Sequence, residues 1–327
     1  RAPAIVIDGG FATQLTQHVG EVVDGDPLWS ARFNATNPEA VKAVHKDFLV
    51  AGAELIRTNT YQASVDQYMR HLGVSREDAV ALIQDTVGFA REARDDFVRK
   101  SEKDNVPMIF GSIGPYGACL ADGSEYTGSY MASTSSSVIR EWHKTRLAII
   151  LEAGVDALAI ETLPSALEGE ILLQLMREEF PDVKFWLSFQ CRSESETAAG
   201  ENYREAVMRI WKKVQEDEKL RQNFLAIGVN CLHPDRVASL FAGLNDPQAA
   251  ADSRIPLIAY PNSGEMYDVV EKKWISDRDQ KPLETRVQEW IGLGARYVGG
   301  CCRNYASDIR RIRETLDTLA GQLASTD

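Results

Sequence analysis

The sequence has no long hydrophobic run and no excess of positive charge. It contains no stretch of about 18 consecutive apolar residues, the minimum for a membrane-spanning helix, so we expect no transmembrane segment. Of its 327 residues, 36 are Lys or Arg and 48 are Asp or Glu, which gives a net charge of −12. Because nucleic acids and anionic membranes bind basic surfaces, neither is an expected partner.

Cysteine is scarce, and the start of the chain has no secretion signal. The first residues, RAPAIVIDGG, enter an apolar run at once and lack the layout of a signal peptide. Five cysteines are a small and odd number, unlike the disulfide framework of a compact secreted domain. These features predict a reducing, cytoplasmic setting.

Eight short apolar runs recur along the chain. They do not alternate with polar residues, as expected of strands buried on both faces of a parallel sheet. The runs are 4–8, 54–60, 107–113, 156–162, 184–190, 224–230, 255–261 and 295–301. Segments with helical spacing separate them, at 38–52, 76–100, 138–154, 165–179, 201–218, 234–244, 284–294 and 305–323.

This alternation predicts a single (β/α)₈ barrel domain spanning residues 1–327. A doubly wound open sheet is the competing architecture, but DGGFAT after the first run lacks the GxGxxG spacing that such folds use for phosphate. Barrel enzymes place their reactive residues at the C-terminal ends of the strands. The Gly- and Ser-rich segment 114–136 is expected at that face, either as a mobile lid or as an ordinary solvated loop.

Three cysteines follow apolar runs and are candidates for a metal site. Cys231 ends the sixth run, and the adjacent Cys301 and Cys302 end the eighth. If both runs are strands of one barrel, the thiols converge, and three thiolates without a fourth protein ligand describe a zinc site with an open position. We would then expect zinc to activate a substrate, most plausibly another thiol. A chance pair or a redox-active pair of neighbouring thiols is the alternative.

Several motifs together resemble the homocysteine S-methyltransferases. They are IDGGFATQL, TNTYQAS, GSIGPYGACLADGSEYTG, AIETLPS, IGVNC, YPNSGE and GGCCR, at matching positions from residue 7 to residue 303. The resemblance implies that Cys231, Cys301 and Cys302 hold a catalytic Zn²⁺. It also implies that homocysteine supplies the missing ligand through its sulfur, attacks as the zinc-bound thiolate and leaves as methionine.

The same resemblance implies the contacts to homocysteine. It places Asp8 and Glu161 at the ammonium group, with backbone amides near Gly9 and Thr58 available to the carboxylate. The alternative is that Asp8 caps the following turn and that Glu161 pairs with an arginine. Asn230, beside the first cysteine, is expected to orient a thiolate or the methyl donor.

The methyl donor is predicted from two positions and one loop. Betaine-using relatives have tyrosines where this chain has Thr162 and Gln62, and LADGSEYTG resembles the branch that uses S-methylmethionine or S-adenosylmethionine. We therefore expect a sulfonium donor, with S-methylmethionine favoured. A betaine-homocysteine methyltransferase is one alternative, and a non-catalytic sensor of oxidation is another. Metal-free protein is expected to oxidise readily, joining Cys301 to Cys302.

Overall fold

Eight parallel strands form the sheet at the centre of the molecule. The structure is a computed structural model that describes residues 3–20, 23, 25–101, 105–246, 248, 250, 253–268, 273–275 and 281–324. The strands are β1 (Ile5–Val6), β2 (Leu55–Arg57), β3 (Met108–Ile113), β4 (Ala157–Leu163), β5 (Phe185–Phe189), β6 (Phe224–Asn230), β7 (Leu257–Tyr260) and β10 (Ala295–Val298). Between the last two, β8 (Met266–Asp268) and β9 (Lys273–Ile275) form an antiparallel hairpin.

The sheet curls until its two edges meet. Its order is β1-β10-β7-β6-β5-β4-β3-β2, with every neighbouring pair parallel. A parallel bridge between Ile7 and Leu55 joins the edges, and the Glu54 N–H donates to the Val6 carbonyl at 2.8 Å. All eight predicted runs contain a strand of this sheet, which confirms the predicted (β/α)₈ barrel.

Helices follow the strands and pack around them. They are α1 (Phe11–Val19), α2 (Phe33–Thr36), α3 (Pro38–Val50), α4 (Val65–Leu72), α5 (Arg76–Ser101), α6 (Ser136–Glu152), α7 (Ala166–Glu179), α8 (Tyr203–Glu216), α9 (Glu218–Asn223), α10 (Arg236–Phe241), α11 (Val287–Gly292) and α12 (Ala306–Ala324). Each predicted helical segment overlaps one of them, with ends that differ by up to three residues. At the start of α3 the Asn37 side chain accepts from the Ala40 N–H at 3.2 Å, as its position before Pro38 suggests.

Alternate residues of the strands fill two separate layers of core. One set packs inside the barrel, where the rings of Phe110 and Trp186 lie 4.8 Å apart beside small residues such as Ala157. The other set, which includes Ile56 and Leu158, packs against the helices. The period-two alternation of strand side chains produces both layers from one sheet.

Two irregular segments follow strands at the C-terminal face. The segment after β3 contains three short 3₁₀ turns, at Tyr116–Leu120, Ser124–Tyr126 and Ser129–Ala132. The segment after β7 leads into the β8–β9 hairpin. Within the described ranges, no helix is both long enough and apolar enough to cross a membrane.

Candidate active site

A cavity of about 390 Å³ opens at the C-terminal ends of the strands. It is lined from β1, β2, β3, β4, β6 and β10, and from part of the segment after β3. The predicted site residues that line it are Asp8, Gly9, Thr58, Glu161, Cys231, Cys301 and Cys302. The position of the cavity agrees with the rule that barrel enzymes work at this face.

The three predicted cysteines meet at one side of the cavity. The sulfur atoms of Cys231, Cys301 and Cys302 all lie within 4.8 Å of one another, and among the described residues this is the only such group of three or more potential metal ligands. Cys231 and Cys301 are joined as a disulfide, with Cα atoms 5.5 Å apart. The sequence-based expectation of a Cys301–Cys302 bond is therefore wrong for this state, because the ends of β6 and β10 bring Cys231 closer to Cys301.

Close backbone packing fixes the turn that carries the adjacent cysteines Cys301 and Cys302. A Cβ atom on Gly10 would lie 2.5 Å from the carbonyl oxygen of Cys301, so only glycine fits there. Buried Asn304 donates from its side-chain amide to the carbonyls of Pro261 (3.0 Å) and Cys301 (3.3 Å). Cys231 adopts a left-handed conformation with φ +53°. Such strain is typical of positions that the surrounding structure holds for function.

A buried arginine connects the two predicted ammonium-binding carboxylates. Arg57 donates from Nε to Asp8 (2.6 Å) and from Nη1 to Glu161 (2.7 Å), and its Nη2 donates to the carbonyls of Gly9 (2.9 Å) and Gly300 (3.1 Å). The remaining oxygen of Asp8 accepts from the Arg57 N–H at 2.7 Å, and that of Glu161 accepts from the Ser112 hydroxyl. The arginine pairing that the sequence left as an alternative is therefore present.

These three charges are shielded from water. Asp8 is 1% exposed, Glu161 4% and Arg57 8%. Burial raises the pKa of the Asp8 carboxyl, although Arg57 acts in the opposite direction. Burial acts to lower the pKa of Arg57, but the charges of Asp8 and Glu161 outweigh it and raise that pKa. The cluster carries one cation against two carboxyl groups, so it can still attract a further cation.

Two predicted contacts differ from expectation. The Thr58 N–H donates to the carbonyl of Phe110 at 2.9 Å within the sheet, so this amide is not available to a substrate carboxylate, although Thr58 lines the cavity. Asn230 does not line the cavity. Its side chain accepts from the Thr162 N–H and donates to the Thr162 hydroxyl, both at 2.8 Å. It therefore supports the wall of the site at Thr162, which has φ +63°.

Aromatic side chains and a further glutamate also line the cavity. Trp29 and Tyr61 meet edge to face with ring centroids 6.4 Å apart, and Tyr126 is 45% exposed. Glu125 lines the cavity here, and its buried Oε2 makes no hydrogen bond within the described residues. Burial raises the pKa of this carboxyl to about 7.

Sequence reasoning missed Arg57, Glu125 and Asn304. Arg57 interrupts the apolar run ELIRTNT, and a charged residue inside a buried strand signals a buried partner. Glu125 lies in the quoted motif GSEYTG without being singled out. No local signal identifies Asn304, since its contacts depend on the turn that follows β10.

Comparisons with known proteins agree with this geometry. Residues 5–316 match the family model described as homocysteine S-methyltransferase. The chain belongs to the homocysteine S-methyltransferase family. It is 48% identical to betaine-homocysteine S-methyltransferase of Drosophila melanogaster, over 97% of this chain and 95% of the relative. It is 36% identical to homocysteine S-methyltransferase 1 of Arabidopsis thaliana, over 95% of this chain and 93% of the relative.

The fold of this homocysteine S-methyltransferase matches solved structures of a relative. The metallated form of the homocysteine methyltransferase MmuM from Escherichia coli superposes with a TM-score of 0.79, at 30% identity over 96% of each chain. The oxidised form of the same protein gives 0.80 at 31% identity, also over 96% of each chain. The methyltransferase assignment made from the motifs is thereby confirmed, as is homocysteine as the methyl acceptor.

Proposed function

We propose that this protein, acting as a single barrel domain, transfers a methyl group from a sulfonium donor to the thiol of homocysteine, and that Zn²⁺ held by its three clustered cysteines would activate that thiol. S-methylmethionine is the favoured donor, ahead of S-adenosylmethionine. The observation that carries the proposal is the convergence of three cysteine sulfurs within 4.8 Å beside a cavity. The three cysteine ligands fit zinc. Three thiolates with an open fourth position are a known catalytic arrangement, and soft sulfur ligands favour this ion.

Cys231, Cys301 and Cys302 would hold the zinc. When bound, it would supply deprotonation of the substrate thiol, since the thiolate and not the thiol is the nucleophile. The Cys231–Cys301 disulfide must be reduced before both sulfurs can serve as ligands. The reducing, cytoplasmic setting predicted from the few cysteines would meet this requirement. Gly10 and Asn304 keep the cysteine turn in place through the contacts described above.

The acceptor would bind with its ammonium group at Asp8 and Glu161. Arg57 orients both carboxylates and leaves the trio one negative charge in excess, which an ammonium group neutralises. The backbone near Gly9 is the proposed contact for the substrate carboxylate. Asn230 is a positioning residue in this scheme, because it holds Thr162 behind the cavity wall.

Methyl transfer balances without any further reactant. The homocysteine thiolate forms a carbon–sulfur bond to the methyl group, and the bond from that group to the sulfonium sulfur breaks with its electron pair going to that sulfur. From S-methylmethionine both products are methionine, and the thiol proton is released. The aromatic faces of Trp29, Tyr61 and Tyr126 suit a cationic donor, and binding of both substrates in this one cavity would align the three reacting atoms.

Betaine is the second candidate donor. A relative with 48% identity is named for betaine, and a quaternary ammonium group also binds to aromatic faces. We favour the sulfonium donor because Thr162 and Gln62 stand where the resemblance places tyrosines in betaine-using proteins.

The test compares the three donors with reduced, zinc-loaded protein and homocysteine. We expect methionine from S-methylmethionine, abolished by a chelator, and no zinc in Cys231→Ala. Cys191→Ala is the matched control, because Cys191 is buried away from the cluster and should keep both metal and activity. Turnover with betaine alone would overturn the proposal of a sulfonium donor. Zinc binding without turnover with any of the three donors would overturn the proposed reaction. Zinc-free native protein that responds to oxidants would support the sensor alternative.

A further inference from the structure

Glu125 is an acidic side chain at the cavity that forms no ion pair with a basic side chain within the described part of the chain. It belongs to the 3₁₀ turn Ser124–Tyr126, and its Oε2 is buried without a hydrogen-bond partner among the described residues. Asp8 and Glu161 line the same cavity, but each uses both oxygens in hydrogen bonds. Buried polar atoms are nearly always paired, so an unpaired carboxylate oxygen at a substrate cavity points to a missing ligand.

The surroundings of Glu125 support a cationic ligand. Burial raises the pKa of the Glu125 carboxyl to about 7, and the charge of Asp122 acts in the same direction, although a backbone hydrogen bond at Glu125 itself opposes both. A bound cation would lower this pKa. Tyr61 and Trp29 line the same cavity as Glu125, so aromatic rings are available there for the rest of a cationic ligand.

Tyr61 connects this part of the cavity to the acceptor side. Burial raises the pKa of its phenol, and the negative charges of Glu125 and Glu161 raise it further, so Tyr61 is within electrostatic reach of both. Of the acids that line the cavity, Asp8 and Glu161 pair with Arg57 and Asp26 pairs with Arg32, whereas Glu125 has an oxygen without a hydrogen-bond partner among the described residues. A reaction between two amino acids needs such an arrangement, because homocysteine and S-methylmethionine each carry an α-ammonium group.

We propose that Glu125 binds the α-ammonium group of the methyl donor and thereby selects amino-acid sulfonium donors over donors that lack an amino group. This inference rests on the proposed function and adds the donor subsite to it. Betaine has no N–H to donate, and its carboxylate would face an unpaired acid. An amino-acid donor satisfies Oε2, and the tyrosine and tryptophan faces remain for its sulfonium group.

The test removes the charge from the protein and the ammonium from the ligand. Glu125→Gln keeps the shape of the side chain, and Asp122→Asn is the matched control, since Asp122 lies in the same segment and its Oδ1 accepts from the Ser124 N–H at 2.9 Å. Asparagine can retain that acceptor while losing the same charge. The ligands are S-methylmethionine and dimethylsulfoniopropionate, a sulfonium carboxylate without an amino group. Their dissociation constants are measured by calorimetry on reduced, zinc-loaded protein with homocysteine present, at a temperature and time at which no turnover occurs.

We expect Glu125→Gln to weaken S-methylmethionine binding about tenfold or more, as for the loss of a charge-assisted hydrogen bond. Binding of dimethylsulfoniopropionate should be unchanged, and Asp122→Asn should not weaken S-methylmethionine binding, because loss of the Asp122 charge only favours the ionised form of Glu125. Equal weakening of both ligands, an unchanged S-methylmethionine affinity, or no S-methylmethionine binding to the wild type would overturn the inference. Selective binding without methyl transfer would instead overturn the proposed reaction and leave the subsite standing.

Discussion

At the scale of single residues, Arg57 is a buried charge that depends on several hydrogen-bond partners. Its guanidinium group is surrounded by Asp8, Glu161 and two carbonyl oxygens, and its carbon CZ lies 4.6 Å from the centre of the Tyr260 ring. Breaking a buried ion pair leaves an unpaired buried charge, which costs more than the intact pair contributes. The stability of the site therefore depends on this side chain.

We predict that Arg57→Met lowers the free energy of unfolding by about 3–5 kcal/mol, because Asp8 and Glu161 lose their partner. The measurement is urea unfolding of purified protein. Arg192→Met is the control, since Arg192 is 53% exposed in its ion pair with Glu196 and such surface pairs contribute about 0–1 kcal/mol. A cost for Arg57→Met no larger than that of the control would contradict the account of this cluster.

Gly10 supports a second prediction at this scale. An added Cβ would lie 2.5 Å from the carbonyl oxygen of Cys301. Relief of this clash requires movement of the backbone, which is energetically costly. Gly10→Ala should therefore displace the cysteine turn and reduce the zinc content of reduced protein, measured by atomic absorption. Gly88→Ala is the control, because a Cβ at Gly88 in α5 meets no atom within 4 Å and alanine favours helix. Full zinc occupancy in Gly10→Ala would show that the turn tolerates the methyl group.

At the scale of elements, the strands were predictable and several connections were not. Buried parallel strands form continuous apolar runs, so each run identified its strand from local sequence. The helix α4 has a capping Ser64 and a terminal Gly73 with φ +68°, signals that were present in the sequence but not used. The two residues of β1 and the pairing of Arg57 depend on partners far along the chain, which no local pattern can reveal.

The segment after β3 is anchored by one buried acid of α7. Glu168 accepts from the Tyr116 N–H (2.7 Å), from the Tyr130 hydroxyl and through a hydrogen bond with His143 Nε2 (2.8 Å). Glu168 and His143 are fully buried. This network supports the segment that presents Glu125 to the cavity. The predicted lid motion stays a prediction.

We predict that Glu168→Gln speeds amide hydrogen exchange in residues 116–132 and raises the Michaelis constant for the donor more than that for homocysteine. Glutamine is neutral and has one accepting oxygen instead of two, so the bonds lose their charge assistance and the Tyr130 hydroxyl can no longer donate to the second oxygen. Exchange is measured by mass spectrometry. Glu178→Gln on the same helix is the control, since its side chain is 37% exposed. Unchanged hydrogen exchange in residues 116–132 would show that the Glu168 network does not hold this segment in place.

At the scale of the whole molecule, the candidate metal site lies where the barrel closes. Strand β1 has two residues, pairs with β10 and reaches β2 through one bridge. The adjacent residues Cys301 and Cys302 follow β10 after two glycines. Cys231 follows β6, and β7 lies between β6 and β10 in the sheet. A metal held by all three sulfurs would connect segments that are separated by 70 residues in the chain.

This arrangement predicts that zinc stabilises the entire fold. A ligand that binds only the native state adds about 2.7 kcal/mol at a concentration of 100 times its dissociation constant. Zinc should therefore raise the melting temperature of reduced protein by several degrees, and a chelator should reverse the shift in differential scanning calorimetry. Cys231→Ala should lose this response, while Cys191→Ala should keep it because Cys191 is not one of the three clustered cysteines. An equal shift in wild type and Cys231→Ala would mean that zinc stabilises the protein by binding at another site. The three sulfurs would then lie close together only because the barrel closes there.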